Sequence, residues 1–108
     1  MLKKSWSYNY KAASKALYGD LRLWKKPDQV ETDDAVAWAT AFWFWKTNVH
    51  PNAKVQQGQF GATTNIINSG ECTGKFDVKL AKKRFFYYVN VMKAFNLTEK
   101  PIDKGCYN

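Results

Sequence analysis

Between residues 35 and 45 the chain reads AVAWATAFWFW, eleven positions of which only Thr40 is polar. A helix over such a run has almost no hydrophilic face and must be covered nearly all round. Thr32 or Asp33 is placed to cap it, with acidic groups at the positive end of the helix dipole, and the helix is expected to continue to about Lys46. A run of eleven residues is too short to span a bilayer, so the cover has to be protein. The chain has 108 residues, enough for a single domain, 1–108, with a core of limited size. A central helix of this kind asks for more neighbours than so short a chain supplies. A further segment or a second chain is therefore expected against it.

The other elements follow from spacing and breakers. Residues 10–18, YKAASKALY, have high helix propensity with Ala and Leu on one face, and Gly19 ends the run. After it, DLRLWKKPDQVETDD reads as an irregular connection or a single turn, since Pro27 blocks a continuing helix. Residues 48–74, rich in Asn, Gln, Gly and Thr and without clear period, are expected to form a long ordered loop. Asp77 then caps a strong helix whose apolar positions Val78, Ala81, Phe85, Tyr88, Met92 and Phe95 step by three and four. Asn96 suits a left-handed C-cap, with Leu97 folding back on the last turn. No strand, repeat or low-complexity tract is evident, and the class is mainly α with long ordered loops and little or no sheet.

The charge balance of +8 creates a field that favours anionic partners without naming one. Lysines and aromatics adjoin in LKKSWSYNY and KLAKKRFFYY, as in single-strand nucleic-acid sites. Most of these rings fall on a helix's apolar stripe, however, where a core beneath a solvated lysine face is the simpler account. Nucleic acid is thus not the expected partner, and neither is a membrane. His50 is the sole histidine and no cysteine has a neighbour at ligand spacing, so neither a metal nor another cofactor is expected. Cys72 and Cys106 are the only cysteines, open to either a disulfide or two buried thiols. A bridge would close a loop of about 35 residues, a constraint of roughly 3 to 4 kcal/mol.

One segment stands apart from this basic, aromatic background. FGATTNIINSGEC, residues 60–72, carries no positive charge and is crowded with amides and hydroxyls. Uncharged amides complement neutral sugar hydroxyls and acetamido groups, and rings such as Trp6, Tyr8 and Tyr10 would add apolar contact to a sugar face. The same amides could equally satisfy the loop's own backbone.

Three segments in order bear on that choice: SWSYNY (5–10), PDQVETDDAVAWATAFWFW (27–45), and TNIINSGEC (64–72) followed by KRFFYYVNVMKAFNL and CYN. Together they resemble the C-terminal half of the catalytic domain of family 19 glycoside hydrolases, the plant-type chitinases. The resemblance implies a lysozyme-like helical fold with a cleft that binds and cleaves β-1,4-linked N-acetylglucosamine with inversion. It implies that Ser5 helps position the attacking water, that Tyr8, Asn9 and Tyr10 belong to a substrate-contacting segment, and that Ile67, Asn68 and Glu71 face the same cleft. Arg84 would belong to the supporting network, and Cys72 and Cys106 would be bridged, which suits a secreted protein whose signal peptide is not in this sequence. The sequon Asn96-Leu97-Thr98 is then a candidate for glycosylation.

This sequence departs from the family pattern at Lys11, where a glycine is usual, at Ala39, where a lysine is common, and by one residue fewer between Asn68 and Glu71. The resemblance also places the acid and base glutamates ahead of SWSYNY. Inverting hydrolysis needs a raised-pKa acid and a second carboxylate roughly 6.5 to 9.5 Å away. Glu31, Asp33 and Asp34 read as helix-start partners, Asp77 as a cap, and Glu99 and Asp103 as solvated. Only Glu71 has a claim on the cleft, so this chain alone is expected to be inactive or very weak. The expected ligand is chitin or its oligomers; a non-catalytic glycan-binding defence protein is the alternative, with a basic nucleic-acid-binding module behind it.

Overall fold

The computed structural model describes residues 7–74 and 78–108. The expectations for Ser5, Trp6 and Asp77 fall outside the described residues. The chain divides into two compact units, Met1–Asn48 and Val49–Asn108, each treated by itself below. The described residues are mainly helical, as the lysozyme-like class requires, and their only β pairing is an isolated bridge between Gln59 and Ile102.

In the first unit, α1 (Ser7–Tyr18) begins three residues earlier than its apolar spacing indicates and stops where expected. Gly19 takes a left-handed φ of 74° and its N–H reaches the Lys15 carbonyl. Two single-turn helices follow, α2 (Arg22–Lys25) and α3 (Gln29–Thr32), on either side of Pro27. The Ser14 hydroxyl, fully buried, accepts the N–H of Leu23 at 3.0 Å and ties α2 to α1. The core is Tyr10, Ala13, Leu23, Val30 and Val36, with Tyr18, Trp43 and Phe44 packed against it.

Helix α4 (Asp34–Phe44) starts as predicted: the Asp33 side chain accepts from the N–H groups of Ala35 and Val36. It ends two residues early, passing into a π-turn, Trp45–Val49. The expected all-round burial is not what the structure shows. Only Val36 and Thr40 are buried, while Trp38 is 66% exposed, Phe42 68% and Trp45 44%. Those three residues share one side of the helix at i, i+4 and i+7. Thr40 turns inward because its hydroxyl is satisfied by the carbonyls of Val36 and Ala37, so a buried polar group leaves no donor unpaired.

The second unit corrects the reading of residues 48–74 as loop. Asn52 caps α5 (Ala53–Gln56), Gly58 turns the chain with φ 81°, and α6 (Phe60–Asn68) runs into a 3-10 turn, Ser69–Glu71. Threonines and Asn are poor helix formers on their own. Packing overrides that preference, because Gly61, Ala62, Thr63 and Thr64 are buried and their small side chains let the C-terminal tail lie against the helix. A Cβ on Gly61 would stand 2.5 Å from the Lys104 carbonyl oxygen. Phe60 donates its N–H to Ile102 and stacks its ring on Tyr88 at 4.4 Å between centroids.

Helix α7 (Val78–Ala94) closes the unit. Ala81 and Met92 are buried and Phe85 and Tyr88 half-buried, whereas Phe95, expected on the same stripe, is exposed. Asn96 has φ 57° and the Leu97 N–H returns to the Met92 carbonyl, the C-cap the sequence indicates. Cys72 and Cys106 form a disulfide with Cα atoms 4.8 Å apart, fastening the tail to the end of the 3-10 turn. No helix among the described residues is long and apolar enough to cross a membrane.

Candidate functional site

Within the second unit, the residues that drew attention as an amide-rich stretch converge on one carboxylate. The short 3-10 turn after α6 folds Glu71 back under Asn68, and Cys72, pinned by its disulfide, holds the turn in place. Glu71 is only 2% exposed. Its Oε2 accepts the Arg84 Nε–H at 2.8 Å and its Oε1 accepts Nη2–H at 2.9 Å, a two-pronged pair that spans from the turn to the N-terminal half of α7. Asn68 donates Nδ2–H to Oε1 at 3.3 Å.

The electrostatics follow from that geometry. Hydrogen bonding from Arg84 holds the Glu71 carboxyl below its ordinary value; burial opposes this, and the Arg84 charge and the Asn68 amide add to the lowering. Arg84 is raised in turn by its bond to Glu71. A carboxylate held ionised by two fork-like donors is a good anchor and a poor proton donor. Its oxygens are engaged by Arg84 and Asn68, so what Glu71 does within this unit is fix those two side chains. Arg84 is half-exposed along its length, and the Asn68 carbonyl oxygen accepts no bond among those of the described residues.

Ile67 and Asn68 are both half-buried on the last turn of α6. Asn65, one turn earlier, was not singled out by the sequence reading although it lies in the same TNIIN element. It donates Nδ2–H to the Gly105 carbonyl at 3.1 Å. With Ile66, Asn52 and Lys54 it lines an open groove of about 390 Å3 beside α5. Helical spacing from Asn68 would have pointed to it, had the segment been read as helix.

In the first unit, Tyr8, Asn9 and Tyr10 sit on the first turn of α1. Tyr8 is exposed, whereas Asn9 and Tyr10 are buried, Tyr10 within the apolar core. Tyr8 is therefore the exposed ring of this trio. Among the other carboxylates, Glu31 and Glu99 are exposed, Asp33 is the α4 cap, and Asp20 pairs with Arg22 at 2.9 Å. Asp103, expected to be solvated, accepts the Tyr107 hydroxyl instead. His50 is exposed beside Gln56, and no group of three potential metal-binding side chains occurs among the described residues.

The chain is mainly α, and the amide-bearing end of α6 is braced by a buried carboxylate paired with the Arg84 fork. Comparison with known sequences narrows that class: the profile of the family described as "Chitinase class I" matches residues 1–59, and the chain belongs to this family. It is 41% identical to Endochitinase CHI of Arabidopsis thaliana over 87 residues, 81% of this chain and 30% of that protein. Endochitinase At2g43610 of the same plant is 43% identical over 94 residues, 87% of this chain and 31% of the relative. Chitinase 4 of Oryza sativa subsp. japonica is 36% identical over 99 residues, covering 90% and 32%. The chain thus spans about a third of the length of the curated relatives it matches. No solved structure matches it.

Proposed function

We propose that this chain recognises β-1,4-linked N-acetylglucosamine oligomers as the sugar-binding part of a chitinase, in chitin breakdown or in defence. The observation that carries the reading is the Asn68 amide, oriented by Glu71, which is itself fixed by Arg84. An amide with one N–H committed to a buried carboxylate keeps its carbonyl and second N–H in a set direction. That is the donor and acceptor pair a sugar hydroxyl or acetamido group needs. Ile67 beside it offers apolar contact to the ring face, and Tyr8 and Asn9 of α1 are proposed ligand contacts on the strength of the family pattern, as is Tyr10. Ser5 keeps its proposed part in positioning water.

Hydrolysis is proposed to draw its acid and base from carboxylates other than those described above. A general acid must hold a proton near neutral pH, and Glu71 is pushed the opposite way. The same fact favours the non-catalytic reading, in which the chain binds glycan and breaks nothing. The Cys72–Cys106 bridge supports an extracellular setting for either.

The tryptophans, Trp6, Trp24, Trp38, Trp43 and Trp45, all precede Val49, so none lies in the segment that carries Ile67 and Asn68. Amide chemical shifts are the better probe. Titrating chitotetraose should move the amide and side-chain signals of Ile67 and Asn68 saturably, and Asn68→Ala should weaken that response about tenfold, the loss of one to two hydrogen bonds. No saturable change at millimolar ligand, or an undiminished response in Asn68→Ala, would overturn the proposal. Release of shorter oligomers from the same mixture separates the catalytic reading from the binding one.

A further inference from the structure

We propose that Asn96 carries an N-linked oligosaccharide, attached through its side-chain nitrogen just beyond the C-terminal end of α7, a modification that rests on neither sugar recognition nor hydrolysis. Asn96-Leu97-Thr98 is the only Asn-x-Ser/Thr triplet in the chain, and its middle residue is not proline. Such a triplet recurs by chance in many sequences. Its position and its unengaged side chains are what the structure adds.

A helix turns residues i and i+2 to different sides, whereas oligosaccharide transfer needs the asparagine amide and the hydroxyl two residues on to be met together. Helix α7 ends at Ala94, and Asn96 with φ 57° breaks from it, so Leu97 and Thr98 lie outside the helix. Asparagine tolerates this left-handed conformation better than most side chains. All three residues of the triplet are exposed. Phe95 and Leu97, on either side of Asn96, are 72% and 52% exposed, so an attached sugar has no packed neighbour to displace.

Other asparagines are committed elsewhere. Asn48, Asn65, Asn68 and Asn108 donate their side-chain N–H within the chain, Asn52 caps α5, and Asn9 is buried. Asn90 is exposed, but it lies inside α7 with Met92 where the hydroxyl is needed. At Asn96 neither the amide nor the Thr98 hydroxyl takes part in a hydrogen bond among the described residues. The tail is next fastened at Ile102, whose carbonyl accepts the Phe60 N–H, and then at Cys106, so the triplet precedes both attachments. A formed Cys72–Cys106 bridge belongs to an oxidising compartment, the setting in which such transfer takes place.

The donor is an oligosaccharide linked through C1 to a lipid diphosphate. The Asn96 Nδ2 forms a bond to that C1, the C1–O bond breaks, the lipid diphosphate leaves with the bonding electron pair, and one amide proton passes to a base of the transferase.

The test is the intact mass of the full chain, directed into the secretory pathway of a yeast by an added leader and recovered from the medium. The expected result is the mass of the chain plus one oligosaccharide, lost on treatment with peptide N-glycosidase F, with Asn96 converted to aspartate in the released peptide. Thr98→Ser should keep the modification and Thr98→Val should abolish it. Asn96→Gln should also abolish it; should that variant fail to fold for want of its left-handed cap, Thr98→Val leaves the cap in place and decides alone. Far-UV circular dichroism and an intact disulfide report the folding of each. A secreted chain that is mostly unmodified, or an added mass that resists the glycosidase and survives Thr98→Val, would overturn the proposal.

Discussion

Replacing Arg84 by methionine tests the brace behind Asn68. The substitution keeps the length and most of the apolar stem but removes both donors to Glu71, which is 2% exposed. Orphaning one member of a fully buried pair costs about 3 to 5 kcal/mol. The Arg84 side chain is 56% exposed, so water reaches the pair from that side and the expected loss is nearer about 2 kcal/mol. In a chain of this size that lowers the midpoint of thermal unfolding by roughly 10 °C. The effect must also depend on pH in a defined direction. Glu71 in the folded protein sits below 4.5, so the stability it contributes is complete above the unfolded value and drains away as pH falls through the folded one. In Arg84→Met the bonds and charge of Arg84 are gone and only the Asn68 amide still opposes burial, so the carboxyl moves up and the variant takes up a proton with less penalty. Urea unfolding followed on α7 amide signals should show the full deficit at pH 7 and a steadily smaller one as pH falls below the ordinary carboxylate range. Arg84→Lys should recover only part, since an ammonium lacks the planar fork. A deficit below about 0.5 kcal/mol at pH 7, or one that does not change with pH, would refute the brace.

Three further outcomes are expected. Reducing Cys72–Cys106 frees the tail that lies on α6 and should cost roughly 3 kcal/mol, read as lost amide protection at Phe60, whose N–H bonds to Ile102. Gly61→Ala places a Cβ 2.5 Å from the Lys104 oxygen and 2.9 Å from the Cys106 nitrogen, both backbone, and should destabilise by about 2 kcal/mol or more; Gly19→Ala, with open space around it, should lose only about 1 kcal/mol for its positive φ, both measured by urea unfolding. Tyr107, raised to about 12 by burial and by its hydrogen bond to Asp103, should give a late step in a titration at 295 nm. The stability this contributes is intact below pH 10 and lost as pH climbs through 12, a step that Tyr107→Phe removes.

What the sequence made legible was local. Gly19, Asp33 and Asn96 each act through one residue's own chemistry: a positive φ, a side-chain acceptor at a helix start, a left-handed cap. Such features need no knowledge of distant neighbours. Helix α6 was missed because its propensities argue against it, and its cause lies 40 residues away in sequence, where the Gly105 carbonyl takes the Asn65 amide and the tail presses on Gly61. The outward turn of Trp38 and Phe42 has the converse cause, and their apolar run already asked for cover beyond this short chain. Apolar composition states that a side chain gains from cover; it does not say that this stretch of chain contains the cover.

The site divides along the same line. Glu71 attracted notice as a carboxylate in a neutral segment, and a carboxylate on a cleft wall reads most simply as a ligand group. The spacing that changes its meaning is the thirteen residues to Arg84, a distance across a turn and a third of a helix that no periodicity reports. Two local facts pointed to it nonetheless. The cysteine next to Glu71 fixes the backbone there, and Arg84 is the one arginine in a helix otherwise supplied with lysines. A planar, always-charged fork is worth its place only where a carboxylate is to be held in two directions, and lysine serves for solvation. Reading the exception within a run of like charges, more than the run itself, is what would have located the brace. It also bears on how an uncharged amide segment can stand in so basic a chain, because Arg84, which shares Glu71 with Asn68, has its charge paired there.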